Sequence, residues 1–213
     1  MKLRTAALAA ILMLGACRHA GDLTSENGGG IYAVRSSCPI LGVPAGTGDI
    51  TLFNPADSRD SRAIDVSATI TDVRGYCADS GNDVVSTATF DVVALRRERG
   101  PARQVILPYF DTALQGGTRV AAKKIGQVVL NFPAGGLHAS AQVQAIVRVN
   151  RSVATLPANV AKYLSRPRKA GEADAAVDPL TDPAIRTAVA DATFEHLIGF
   201  EMSPEQLKYN ATR

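Results

Sequence analysis

Between residues 49 and 151 apolar side chains recur at every second position, and no other feature of this 213-residue chain restricts its fold so tightly. Ile64, Val66, Ala68 and Ile70 alternate with Ala63, Asp65, Ser67 and Thr69. Val84, Ala88, Phe90, Val92 and Ala94 alternate with Val85, Thr87, Thr89 and Asp91. Ala141, Val143, Ala145, Val147 and Val149 alternate with Gln142, Gln144, Ile146, Arg148 and Asn150. A strand turns successive side chains to opposite faces, whereas a helix would repeat its apolar positions at three and four. One apolar face and one mostly polar face are the mark of antiparallel sheets wet on one side. Weaker strands are expected at 49–53, 104–110, 119–124 and 127–132. Breakers separate them: Asn54-Pro55, Ser80-Gly81-Asn82, Gly100-Pro101, Gly116-Gly117 and Pro133 to Gly136. About seven short strands at this spacing predict a mainly β protein, an antiparallel β-sandwich of Ig-like or fibronectin-like outline. The chain has no Trp, so the Cys–Trp–Cys core of antibody domains is absent.

After Arg151 the texture changes. Val160, Tyr163 and Leu164 stand at helical spacing behind Pro157, which suits a helix start. Pro183 to Ala192 reads as a short helix capped by Asp182. Phe194, His196, Ile198 and Phe200 alternate as in a last strand, and Ser203-Pro204-Glu205-Gln206 has the pattern of a helix start, with Ser203 as N-cap and Gln206 at N3. Residues 32–151 are therefore read as the sandwich. Residues 152–213 are read as an α-containing extension with a late strand, carrying too little apolar material to fold as a second domain and so packed on the first.

The N-terminus has two charges, Lys2 and Arg4, then a short apolar run from Ala6 to Met13. That run is too short for a comfortable membrane span and fits a signal peptide. Leu14-Gly15-Ala16-Cys17 follows and resembles the lipobox of bacterial lipoproteins. The resemblance implies a signal peptide at 1–16 and a diacylglycerol-modified Cys17 as the mature N-terminus. Arg18, where an Asp would resemble inner-membrane retention, implies the outer membrane, with the folded part in the periplasm. Two or three acyl chains anchor firmly where one holds only marginally. Residues 17–31, polar and glycine-rich, read as a flexible tether. Loss of Lys2 and Arg4 lowers the formal charge from +3 to about +1, which argues against a nucleic-acid partner. The basic clusters Arg96-Arg97-Glu98-Arg99, Lys123-Lys124 and Arg166 to Lys169 read as solvated or lipid-facing surface.

Three cysteines are odd for an exported chain. If Cys17 carries lipid, Cys38 and Cys77 remain, and an oxidising compartment favours a disulfide between them. It would tie an N-terminal segment to the end of the second predicted strand and would not cross two sheets. A metal or redox pair is the rival reading, but there is no Cys-x-x-Cys and no nearby His at ligand spacing.

Nearly the whole chain resembles a family of uncharacterised lipoproteins of Gram-negative bacteria. The likeness rests on the lipobox, Cys38-Pro39 with Ile50 to Phe53, a turn at Gly75-Tyr76-Cys77, Gly100-Pro101, Leu107 to Phe110, and the ending Gly199 to Met202 with Gln206 to Asn210. It implies an address and a fold, and brings no activity with it.

No nucleophile elbow, Walker A loop or His-Glu-x-x-His motif is present, so no catalytic residue, cofactor or metal is assigned. Glu195 and His196 are neighbours on a strand and point to opposite faces. His196 shares a face with Phe194 and Ile198 and reads as a satisfied core histidine. His19 lies in the tether, and His138 in a glycine-rich turn. Asp72 and Asp79 read as turn formers. Pro108-Tyr109-Phe110, the densest aromatic spot, is the candidate partner surface; the competing reading has Tyr109 and Phe110 on opposite faces with Pro108 at an edge. The function expected is a non-catalytic binding or scaffolding module of the cell envelope with an envelope protein as partner. The alternatives are a cell-wall hydrolase assembled from distant residues such as Asp72, Asp111 and His138, and a carrier of a small apolar ligand between the sheets.

Overall fold

In the computed structural model, residues 36–166, 171 and 177–212 are described. Cys17, the tether at 17–31, residues 32–35 and the basic stretch beyond Arg166 to Lys169 lie outside them. Among the described residues there are eight strands: β1 (Ile40–Gly42), β2 (Asp49–Phe53), β3 (Ile64–Ser80), β4 (Asp83–Arg96), β5 (Arg103–Gln115), β6 (Arg119–Phe132), β7 (His138–Asn150) and β8 (Phe194–Phe200). Three helices follow the main run of strands: α1 (Ala158–Ser165), α2 (Pro183–Asp191) and α3 (Pro204–Thr212). The protein is mainly β. One four-stranded sheet has the order β1-β8-β5-β6, the other β2-β3-β4-β7, and every pairing is antiparallel except β1 with β8.

The inward parities of both sheets meet in one core. Val66, Ala88, Phe90, Val92 and Ala145 come from one sheet, and Val105, Leu107, Val128, Leu130, Ile198 and Phe200 from the other. Phe90 and Tyr109 meet across the gap edge to face, ring centroids 5.6 Å apart, an arrangement worth about 0.5–1.5 kcal/mol beyond the area buried. Phe90, Phe132, Phe200, Leu107 and Leu130, each 1% exposed or less, occupy the region between the sheets where an apolar ligand was one of the alternatives.

Several elements run longer than their sequence signals. Residues 119–124 and 127–132 are one strand, because Gly126 does not break it. Its place is opposite Tyr109, whose ring covers it so closely that an added Cβ would lie 2.3 Å from the ring. The strand expected to end at Phe110 continues to Gln115. The Gly75-Tyr76-Cys77 segment is not a turn but part of β3, paired with Ala88, Thr87 and Ser86. Asp72 is not in a turn either. It occupies an extra residue in β3, where the pairing jumps from Thr71–Asp91 to Arg74–Thr89, and takes the left-handed conformation (φ 52°) that such a bulge requires.

Residue 151 does not bound the sheets, for β8 lies inside its sheet between β1 and β5. The helix caps follow the sequence. Asp182 accepts from the N–H groups of Ala184 and Ile185. Ser203 and Gln206 form a reciprocal capping box at 3.3 and 2.9 Å. Helix α3 lies by β2, with Tyr209 edge-on to Phe53 and Asn210 donating to the carbonyls of Gly46 and Asp49.

Cys38 and Cys77 are disulfide-bonded. Cys38 lies outside any strand, two residues before β1, and Cys77 lies near the end of β3. The bond ties this N-terminal segment to β3 at the rim of the sheets, as expected, and does not join a strand of one sheet to a strand of the other.

Candidate functional site

Titratable groups converge at one place in the interior. Ser86 lies on β4, His196 on β8 and Asp111 on β5, and all three are 5% exposed or less. Each is there by strand parity: Ser86 falls between Val84 and Ala88, Asp111 continues the face of Val105 and Leu107, and His196 stands between Phe194 and Ile198. The Ser86 hydroxyl is 2.9 Å from His196 Nδ1, and His196 Nε2 is 3.0 Å from Asp111 Oδ1. Asp111 Oδ2 accepts the Ile146 N–H of β7 at 3.1 Å. The chain of contacts thus crosses from one sheet to the other twice. It also lies beside a smaller apolar cluster of Ala113, Val147, Val149, Ala154 and Phe194.

A neutral imidazole holding its proton on Nε2 satisfies every contact: it donates to Asp111 and accepts the serine O–H at Nδ1. That is the proton arrangement of a Ser–His–Asp hydrolase with the two ring nitrogens exchanged. Here all three members are sealed between the sheets, so the serine oxygen meets no substrate in this conformation. The chemistry available is that of a polar staple: a carboxylate with two donors, an imidazole with a donor and an acceptor, and no partner left unpaired.

The residues expected to form a distributed hydrolase site do not meet. Asp72 is exposed and paired with Arg74. His138 is exposed at the start of β7, opposite Leu95, about 13 Å along β4 from the Asp91 beside which Asp72 sits. Asp111 is buried between the sheets, and its histidine is His196, not His138. Asp79 pairs with Arg151 at 3.2 Å. No family model, curated protein or solved structure matches the chain.

The stretch 108–110 divides between two faces. Tyr109 points inward onto Phe90 and Gly126. Burial first and the Asp111 carboxylate second push its phenol above the usual range. Pro108 and Phe110 face outward. Pro108 stands where the β8 ladder ends: its carbonyl accepts from Glu201 N–H, so its missing N–H falls on the same side, past the paired residues. Phe110 spreads over Gly199 of β8 and under the Lys123 ammonium, 5.8 Å from the ring centroid. Around them the outer face of the β5–β6 pair carries the cross-strand pairs Ile106–Val129 and Phe110–Ile125, with Ile106, Ile125 and Val129 40–53% exposed. Ile106, Ile125 and Val129 were outside the sequence-based surface, although the parity of Phe110 points to Ile106.

Arg96 is the main correction to the charge reading. It was grouped with Arg97 and Arg99 as solvated surface, yet it is 4% exposed. Parity explains it: Val92, Ala94 and Arg96 share the inward face of β4. Its guanidinium donates to the carbonyls of Gly136, Pro101, Gly100 and Pro133 at 2.6 to 3.1 Å, and lies over the Phe132 ring. One side chain therefore holds the β4–β5 and β6–β7 loops together.

Proposed function

We propose that the chain is a lipid-anchored, non-catalytic binding or scaffolding module of the bacterial cell envelope, tethered through Cys17 to the outer membrane and facing the periplasm. The observation that carries the reading is the outward face of β5 and β6. The Ile106–Val129 and Phe110–Ile125 pairs, with strongly exposed aliphatic members, stand on either side of the Pro108–Gln127 pair, and with Pro108 they make a mainly apolar patch of the kind that marks contact with another macromolecule. The partner is an envelope protein that covers this patch. The lipobox-like Leu14 to Cys17 and the Cys38–Cys77 bond, suited to an oxidising compartment, support the address.

The fold belongs, in this proposal, to the Ig-like or fibronectin-like sandwiches. In Ig domains strand B lies beside E and strand C beside F, in opposite sheets. Here β4 lies beside β7 and β5 beside β8 in the same way. On that equivalence, Ser86–His196 links the two strands that antibody domains join by their inter-sheet disulfide, and Asp111 comes from the strand that carries their core Trp.

The test places a photo-crosslinking amino acid at Ile125 and, as control, at Leu95 on the other sheet, and follows radiolabelled palmitate in the same cells. A protein adduct specific to position 125, together with palmitate in the chain, supports the proposal. Equal labelling from both positions, a Cys17→Ser chain that keeps the label, or hydrolysis of purified cell wall by the protein overturns it.

A further inference from the structure

At the end of the sheets where β4 passes to β5, a cleft of about 310 Å³ is lined by Arg62, Arg96, Arg97 and Arg103, with Asn54 and Asp65. Glu98 is the one other charged group on its wall, so four guanidinium groups face two carboxylates. Asp65 is held by both arms of Arg103, at 2.7 and 2.6 Å, so these two largely offset each other and Arg62, Arg96 and Arg97 remain with Glu98. Arg62 stands in solvent with a loose contact to Asp60 at 3.5 Å. Among the described residues the Arg97 side chain donates to the Ser61 carbonyl and has no carboxylate partner.

Arg96 adds a different kind of evidence. It is buried, and its described partners are four carbonyl oxygens and a ring face, without a carboxylate. Carbonyl dipoles satisfy its hydrogen bonds but leave a full positive charge inside the wall of the cleft, where a low dielectric strengthens its field. Five N–H groups meeting four acceptors also leave one donor, on Nη1.

We propose that this cleft is an anion site that takes a phosphate group, with Arg97 and Arg62 as the mobile arms and the buried Arg96 as the fixed source of potential. Guanidinium forks match the oxygens of a phosphate two at a time, and several such forks around one concavity favour a multiply charged oxyanion over a single carboxylate. The cleft lies at the lower end of the size range of small-molecule sites, with room for part of the phosphate's carrier. This site is independent of the apolar patch on β5 and β6, and either stands if the other fails.

The experiment uses the full chain in neutral detergent micelles at low ionic strength, with inorganic phosphate, glycerol 1-phosphate and water-soluble dihexanoyl phosphatidylglycerol as probes. Binding is read by calorimetry and by the arginine side-chain N–H resonances. Saturable binding of at least one probe, weakened about tenfold or more in Arg62→Gln/Arg97→Gln and by added salt, is the expected result. Arg148→Gln, on the outer face of β7, leaves it unchanged. Preference for the two small anions identifies free phosphate esters as the ligand, and preference for the phosphatidylglycerol identifies a lipid headgroup. Both substituted arginines are exposed, so the double variant keeps the wild-type melting temperature, and a parallel variant, Arg97→Glu, reverses charge without touching Arg96. The proposal is overturned by heats that stay linear with all three probes, or by saturable binding that survives both variants.

Discussion

Replacing Asp111 by alanine isolates what the buried polar chain contributes. The carboxylate accepts two hydrogen bonds, from His196 Nε2 at 3.0 Å and from Ile146 N–H at 3.1 Å, and Asp111→Ala removes both acceptors, leaving the His196 donor buried and the Ile146 N–H of the edge strand half-buried. An orphaned buried donor costs about 1–3 kcal/mol, and with the half-buried Ile146 N–H adding less the expected total is about 2–5 kcal/mol. Ser86→Ala removes a single contact, so its expected cost is about 1–3 kcal/mol. A triple variant, Ser86→Ala/Asp111→Leu/His196→Leu, takes away every polar side chain and leaves only the Ile146 N–H without its partner. It is expected to be more stable than Asp111→Ala alone, since apolar replacement of a whole buried polar group is often neutral or better. The assay is equilibrium unfolding in urea with the disulfide intact, followed by circular dichroism and tyrosine fluorescence because the chain lacks Trp. For a chain of this size a loss of 3–5 kcal/mol lowers Tm by roughly 6–20 °C. If Asp111→Ala proves no more damaging than Ser86→Ala, or the triple variant is the least stable of the three, the double crossing between sheets is not what holds this region.

Arg96→Met leaves the four loop carbonyls without their shared donor, and is expected to cost about 1–3 kcal/mol for each carbonyl that stays buried. Hydrogen exchange should quicken at 97–102 and 133–137 before it does so in the strands, and uniform quickening would contradict the clamp. Cys38→Ser/Cys77→Ser opens a link spanning 39 residues and should remove roughly 4 kcal/mol by chain entropy. Mass spectrometry of the wild type should show two hydrogens gained on reduction; detection of two free thiols beforehand would refute the pairing. The Tyr109 phenol titrates above its ordinary value of 10.0 in the folded chain, so folding favours the protonated form. Its contribution is intact below about pH 10 and disappears as pH rises through the folded-state value. Tyr109→Phe should flatten that alkaline fall in urea midpoint and remove one late step from the absorbance titration at about 295 nm, whereas an unchanged late step would place it on another tyrosine.

The two-sheet architecture was legible because period two is a direct readout of strand geometry. Val66, Ala68, Phe90, Val92 and Val147 are buried where the alternation puts them. What escaped the reading depends on partners far away in sequence. Gly126 looks like a break until Tyr109 is seen to cover it. β1 has no pattern of its own and exists because β8 offers an edge. The polar positions of the core escaped for another reason. Ser86, Asp111 and Arg96 have the parity of the core, but hydroxyl, carboxylate and guanidinium groups suggest surface when judged by residue type. Position along the strand outweighs polarity when the other sheet supplies partners.

The same logic explains why polar groups occur in this core at all. Two sheets meeting through Val, Ala, Ile and Leu alone can slide over one another with little penalty, since apolar contact is non-directional. A hydrogen bond 2.9–3.1 Å long is directional, and one that bridges sheets, as Ser86–His196 and Ile146–Asp111 do, fixes their relative register. Among the described residues three directional contacts are spaced along the inward face of the two sheets. Arg96 sits at one end, Phe90 and Tyr109 stand near the middle, and Ser86, His196 and Asp111 lie beyond them. Only the middle contact is aromatic. The outer two are polar and lie where the sheets give way to loops, so they hold in place the ends from which the arginine-lined cleft and the disulfide-linked rim are built.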